Sequence, residues 1–260
     1  MNKKFDKTIK HNGIKFSYMR KPVIEEREIH TYHEILYYLD GDAQLVTVKS
    51  RQKLKKGTLV IIPRDCYHWL ELENPERFTR LKISFSECKE LEPIISRVLD
   101  EIRVISDVPP YAIHALDRII SSFDEEDKNI ARIGSYGAFL MMMSHLSVNR
   151  GDAESQTNGI NSIVSRCIDI VDNSLSQPIR ISDVARRLNV SESALSHNFR
   201  REIGISFHKY VLQKRLVRAK MLIESGEKPT KIYAECGFGD YSSFYKAYLK
   251  HYGCPPSDDK

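Results

Sequence analysis

The stretch Ser182-Asp-Val-Ala-Arg-Arg-Leu-Asn-Val-Ser191-Glu-Ser-Ala-Leu-Ser-His-Asn-Phe-Arg-Arg-Glu-Ile-Gly204 reads as two short helices meeting at a tight turn. Ser182 and Ser191 suit helix N-termini, because a serine hydroxyl accepts a hydrogen bond from a first-turn amide. Asn189 falls between them, where a left-handed backbone is tolerated by Asn or Gly. Ala185 is small where the two helices must approach closely. Leu195, Phe199 and Ile203 recur at helical spacing and predict a buried stripe on the second helix. That stripe leaves Ser193, His197, Arg200 and Arg201 projecting away from the core.

The plan recurs 48 residues on. In Thr230-Lys-Ile-Tyr-Ala-Glu-Cys-Gly237-Phe-Gly-Asp240-Tyr-Ser-Ser-Phe-Tyr-Lys-Ala-Tyr-Leu-Lys-His-Tyr-Gly253, Thr230 and Asp240 are the predicted caps and Gly237 the turn. Phe244, Tyr248 and Tyr252 form the stripe. With one residue inserted after the turn, Phe244 aligns with Leu195 and Gly253 with Gly204. The outward face then carries Ser242, Tyr245, Lys246, Leu249 and Lys250.

A helix with short hydroxyls at its start and cations further along suits the major groove of DNA. That groove admits a helix and shows a distinct donor and acceptor pattern for each base pair. The predicted connecting helix, from about Ser206 to Ser225, spans roughly 30 Å at 1.5 Å per residue. One turn of B-DNA is about 34 Å, so two such helices can enter successive major grooves on one face. The candidate DNA-binding residues are therefore Ser191, Ser193, Ser196, His197, Arg200 and Arg201 in the first unit. In the second they are Ser242, Ser243, Tyr245, Lys246 and Lys250. Lys214, Arg215, Arg218 and Lys220 make the connector basic, and Lys214, Arg218 and Lys220 are expected to meet phosphates.

Residues 163–256 resemble the C-terminal DNA-binding domain of the AraC family of bacterial transcription regulators. The resemblance rests on Asp183-Val-Ala185, Leu195-Ser196, Phe199-Arg200, Gly204-Ile-Ser-Phe207, Arg215-Leu216, Ala219, Leu222, Ile232, Gly237-Phe238, Ser242-Ser-Phe244 and Gly253. It implies that Ser191–Arg201 and Asp240–Lys250 contain the two recognition helices. Tyr233 departs from the family, standing where a small residue is usual, and is expected either to tilt the second unit or to be directed to the edge. The tail Cys254-Pro-Pro-Ser-Asp-Asp-Lys260 also lacks the aromatic and basic ending common there.

The first 86 residues read differently. Glu34–Leu39, Gln44–Val48, Thr58–Ile62 and Arg80–Phe85 are short apolar and aromatic runs, punctuated by Asp40-Gly41-Asp42, Lys56-Gly57 and Pro63-Arg64-Asp65. Such runs predict strands of a barrel or sandwich. His30-Thr-Tyr-His-Glu34-Ile-Leu-Tyr-Tyr-Leu-Asp-Gly41 and Gly57-Thr-Leu-Val-Ile-Ile-Pro63-Arg-Asp-Cys-Tyr-His68 resemble the two motifs of the cupin-like sensor domain that many AraC-family proteins carry. At a strand period of two, Glu28, His30, Tyr32 and Glu34 face one side. Three readings stay open for this group. One is a transition-metal site of Glu28, His30, Glu34 and His68, although Glu28 stands where metal cupins usually have histidine. Another is a small-molecule effector pocket of Glu28, His30, Glu34, Tyr37 and His68, with Tyr18 and Tyr67. The last is a set of hydrogen-bonded structural residues. His33 is expected to pack or to lie at the surface.

From Glu87 the period becomes helical: Ile94, Val98, Ile102 and Ile105; then Ile113, Leu116 and Ile119–Ile120; then Ile130, Ile133, Phe139–Met143 and Leu146. Met141-Met142-Met143 reads either as core or as a dimer seam. Asn149–Gly159 is polar and aperiodic, the composition of a linker. The expected architecture is thus α+β: a cupin-like barrel over 1–86, a helical interface segment over 87–148, a linker over 149–160, and an all-α double helix-turn-helix domain over 161–260.

Charge agrees with this division. Residues 1–159 carry 24 Lys and Arg against 24 Asp and Glu, while 160–260 carry 16 against 11. The whole excess of +5 therefore sits in the second half, where a polyanionic partner is expected. The five cysteines form no Cys-x-x-Cys pair, which fits buried thiols in a reducing compartment better than disulfides or zinc. No apolar run reaches the roughly 18 residues of a membrane span, and no signal peptide is legible. Neither a nucleophile–base set nor a phosphate loop is present, and no complete metal quartet is found. The sequence therefore points to a cytoplasmic, non-enzymatic regulator without a cofactor. Its expected partners are double-stranded promoter DNA, a small-molecule effector, RNA polymerase and a second copy of the chain; the alternatives are a DNA-binding regulator whose N-terminal half only dimerises, and a metal-dependent cupin enzyme.

Overall fold

The computed structural model describes residues 7–20, 27, 29–73, 77–148 and 162–259. It has mixed α and β structure and divides into two compact units, whose main boundary falls between Thr157 and Asn158. The linker expected over 149–160 lies outside the described residues.

The first unit holds nine strands: β1 (Lys7–His11), β2 (Ile14–Arg20), β3 (His33–Asp40), β4 (Ala43–Thr47), β5 (Arg51–Leu54), β6 (Leu59–Ile62), β7 (His68–Leu72), β8 (Thr79–Phe85) and β9 (Arg103–Ile105). Its helices are α1 (Ile95–Val98), α2 (Pro110–Ser121) and α3 (Lys128–Val148). Six strands form one sheet in the order β1-β2-β8-β3-β6-β9, and β5-β4-β7 form a second. Hydrogen bonding among the described residues therefore gives two antiparallel sheets rather than the closed barrel expected from the cupin-like motifs.

Strand β3 is central and apolar on both faces. Ile35 and Tyr37 join Leu59, Ile61, Leu81 and Ile83 in a core shared with Leu116, Phe139 and Met142 of the helices. Leu36 and Tyr38 join Leu45, Leu54, Val60 and Ile62 in a separate core. A strand covered on both sides shows no polar alternation, which is why Glu34–Leu39 reads as a continuous apolar run.

Two expectations fail here. The helix expected to carry Ile94 through Ile105 is only the four residues of α1. Beyond it the chain extends as β9, pairing Val104 with Val60 and Ile105 with Leu59. Spacings of three and four between β-branched residues fit a helix, but an open sheet edge captured this segment instead. Likewise β3 begins at His33. His30 and Tyr32 precede the strand, so no pleat aligns them with Glu34. The Met run divides: Met142 and Met143 are fully buried, whereas Met141 is exposed.

The second unit is helical: α4 (Ser162–Asp172), α5 (Ile181–Arg187), α6 (Glu192–Ile203), α7 (Phe207–Glu224), α8 (Pro229–Ile232) and α9 (Tyr241–Tyr252). Leu195, Phe199 and Ile203 are buried as the stripe requires, with Phe199 edge-on to both Phe207 and Tyr210. Phe244 and Tyr248 pack with Leu216, Ala219, Ile223, Ile232 and Cys236. All five cysteines are free, and burial pushes the Cys167 thiol up to about 12 and the Cys236 thiol up to about 11.

Candidate nucleic-acid interface

The two outward-facing helices begin and end alike. Ser191 caps α6 by accepting from the Ala194 amide at 3.2 Å. Asp240 caps α9 by accepting from the Ser243 amide at 2.8 Å. At the other ends, Gly204 (φ +81°) and Gly253 (φ +77°) take the left-handed conformation and donate to Arg200 and Leu249 carbonyls. Donation from the Ser243 amide, then from its hydroxyl, holds the Asp240 carboxyl below the usual range, so it stays ionised at the positive helix end. The caps of the preceding helices lie earlier than expected. Arg180 and Lys228 hold the N-cap positions of α5 and α8, which puts Ser182 and Thr230 inside the first turns.

Both turns have the expected backbone, with Asn189 at φ +56° and Gly237 at φ +84°. At Gly237 there is also no room: a Cβ would lie 2.2 Å from the Leu175 carbonyl oxygen and 2.6 Å from Arg215 Nε.

On α6 the side chains of Ser193, Ser196, His197, Arg200 and Arg201 are exposed. Arg201 leans on its neighbour Glu202 at 3.1 Å, whereas Arg200 makes no ion pair with a described residue. On α9 Ser242, Lys246 and Lys250 are exposed, and Tyr245 is half-buried. The Ser243 hydroxyl donates to Asp240 at 2.8 Å, which ties it to the cap. Tyr233 is accommodated by an aromatic pair, its ring edge-on to Tyr241 at 5.9 Å.

The connecting helix corrects the phosphate assignment. Lys214 is buried and its ammonium lies 3.2 Å from Asp172 on α4. Arg215 donates to the carbonyls of Leu175 at 3.1 Å and Gln177 at 2.7 Å. Arg218 pairs with Glu235 at 3.2 Å, and Lys220 with Asp259 at 2.6 Å. These cations hold the domain together. Exposed cationic and polar groups on α7 lie instead in its first turn, at His208 and Lys209, where the Ser206 hydroxyl accepts from the Lys209 amide. Reading the connector as one basic run passes over them.

In the first unit Glu28 lies outside the described residues. His30, Glu34 and His68 are all buried, and one ligand atom from each comes within 4.8 Å of the others. The Lys82 ammonium sits 2.7 Å from Glu34, and His68 Nδ1 lies 3.0 Å from the Cys66 carbonyl oxygen. The donor types suit a transition metal, but the lysine already neutralises the carboxylate and would repel a second cation. Tyr37 points the other way from Glu34, being three residues along a strand of period two, and lies in the core facing the helices. Tyr67 is buried beside Trp69, while Tyr18 is half-buried against Phe123. His33 packs on Phe85 and accepts from the Arg64 amide at 3.2 Å.

Two helix pairs, each ending in a capped outward-facing helix and joined by α7, make the arrangement of a double helix-turn-helix protein. Residues 184–260 match the family described as "Helix-turn-helix domain". The chain is 27% identical over 175 residues to the HTH-type transcriptional regulator YdeO of Escherichia coli O157:H7, covering 66% of each chain. It is 22% identical over 261 residues to the Msm operon regulatory protein of Streptococcus mutans, covering 97% of this chain and 92% of that one. ToxT from Vibrio cholerae is similar at 12% identity and a TM-score of 0.42, over 94% of this chain and 96% of that one. The chain thus carries a helix-turn-helix domain over residues 184–260 and is similar over a longer span to bacterial transcription regulators. No helix among the described residues is long and apolar enough to cross a membrane.

Proposed function

We propose that this regulator binds promoter DNA sequence-specifically, as a homodimer in the cytoplasm, by placing α6 and α9 in successive major grooves. The observation that carries this reading is the matched pair of helices with exposed polar faces, at either end of a connector of 18 residues, or about 27 Å. Arg200 and Lys246 are the base-reading candidates, and Ser193, Ser196 and Ser242 are the phosphate or base-edge partners. The strand-rich half responds to a small-molecule effector, with Glu34, His68 and His30, all buried, as its candidate polar contacts. RNA polymerase is the protein partner through which binding acts on transcription.

Selection of duplexes from a random pool by the full chain, followed by footprinting, tests the proposal. The expected result is a preferred sequence with two protected major-groove segments per protomer, about one helical turn apart. Enrichment of no sequence, or of a single segment untouched by substitutions on α6, refutes it.

A further inference from the structure

Helix α9 turns one large apolar side chain out to solvent. Leu249 is 38% exposed, and among the described residues it is the only large hydrophobic of the helical unit left so open. At about 100° per residue it lies within about 20° of Ser242, between Tyr245 and Lys246. The buried Phe244 is about 140° away around the helix. Lys246 and Lys250, both exposed, stand beside it. From Ser242 to Leu249 the helix rises about 10 Å, the height of about three base-pair steps. Leu249 therefore stands among the polar groups assigned to the major groove and turns away from the core.

The two outward helices can be compared place by place. With Phe244 aligned on Leu195, Ser242 matches Ser193, Lys246 matches His197 and Lys250 matches Arg201, polar for polar. Tyr245 replaces Ser196 but keeps a hydroxyl. Only at the place of Arg200 does the hydrogen-bonding group vanish, and there α9 carries Leu249. The one apolar group that base pairs display in the major groove is the C5-methyl of thymine. Carried over a purine or a cytosine, a leucine would cover hydrogen-bonding groups and pair with none of them. Over a thymine methyl it buries apolar surface on both sides. We infer that Leu249 is a specificity-determining residue, which selects thymine in the segment under α9 by packing on its C5-methyl group. The inference rests on the DNA-reading function proposed above and names the base that one position takes. By the same comparison, the segment under α6 takes guanine at the matching place, where Arg200 offers two parallel donors.

The duplex that the full chain selects from a random pool supplies the test. Its thymines are replaced one at a time by deoxyuridine, which differs only in lacking the methyl group. At least one replacement should weaken wild-type binding about fourfold, the ratio for one buried methyl group. Leu249→Ala should weaken binding to the parent duplex at least as much. It should then be indifferent to that replacement, because the two changes remove the same contact. Leu249→Arg should move the preference at that base pair from thymine to guanine. Circular dichroism should match wild type in both variants, since the side chain is exposed. A selected site that tolerates every deoxyuridine, or a deoxyuridine penalty that persists in Leu249→Ala, overturns the inference and leaves DNA recognition standing. So does a Leu249 variant that keeps wild-type thymine discrimination but loses transcription, because the side chain would then face a protein. Enrichment of no sequence refutes the DNA-reading function itself, and this inference with it.

Discussion

Asp259 accepts from Lys220 at 2.6 Å and from Tyr248 at 2.8 Å, tying the chain's last described residue to α7 and α9 together. The tail that departs from the family's aromatic and basic ending therefore serves as a clasp. Burial alone would raise the Asp259 carboxyl, but donation from Lys220 and Tyr248 outweighs it and holds the group below its ordinary 3.8. A carboxyl lowered by folding stabilises above its unfolded value, and that stabilisation is lost as pH falls through the folded one. Asp259→Asn should thus cost about 2 kcal/mol at pH 7. The difference from wild type should shrink steadily below pH 3.8, the ordinary value, and urea titrations across pH would show it. An equal difference at pH 7 and pH 2.5 would contradict the ion pair.

Lys214 and Lys209 should separate structural from phosphate cations. Lys214→Ala leaves Asp172 without its buried partner and should destabilise the helical unit by about 1–3 kcal/mol. That figure is modest because Asp172 is itself 43% exposed. The salt dependence of DNA binding should not change in the folded fraction. Lys209→Ala should leave stability within about 0.5 kcal/mol and flatten the slope of log K against log salt by about 0.9. Thermal melts and binding isotherms at several salt concentrations distinguish them, and the reverse pattern would return Lys214 to the interface.

The helix-turn-helix units are legible in the sequence because their signals are local: caps at Ser191 and Asp240, left-handed turns at Asn189 and Gly237, and stripes at Leu195 and Phe244. The role of Lys214 is legible too, though its charge draws the eye first. Phe207, Val211 and Lys214 follow steps of four and three on one face of α7, so the lysine lies on the buried stripe. What the sequence hides is long-range. Pairing of β9 with β6 depends on a strand over 40 residues earlier, and burial of Tyr37 away from Glu34 depends on helices packed behind β3. Convergence of His30 with Glu34 comes from an irregular segment whose path no periodicity encodes.

Gly237 and Gly253 share a positive φ but differ in surroundings, which predicts unequal costs. Gly253→Ala meets open space and should cost only about 1 kcal/mol of backbone strain. Gly237→Ala adds a clash with the Leu175 carbonyl and the Arg215 guanidinium, and should cost about 2–4 kcal/mol. Because Arg215 anchors the second turn to the segment after α4, that loss should also weaken DNA binding. Chemical denaturation of the two variants side by side would reveal equal costs if the turn at Gly237 were as open as that at Gly253.

Base reading and phosphate anchoring leave different traces in a panel of binding sites. His197 and Arg200 project from α6, and Lys246 takes the corresponding outward place on α9, all exposed. A side chain that reads a base should cost roughly 1–3 kcal/mol when truncated, and should relax preference at its own base pair. Arg200 is the sharper test, because its guanidinium is committed to no ion pair with the described residues and can offer two parallel donors to one guanine. Arg200→Ala is therefore expected to weaken the best site at least about tenfold while leaving unrelated duplexes nearly unchanged. Lys246→Ala should relax preference in the other half of the footprint, about one helical turn away. Suppose instead that His197→Ala and Arg200→Ala both preserve affinity and preference in a folded protein. Then α6 reads no bases, and α9 alone carries the specificity.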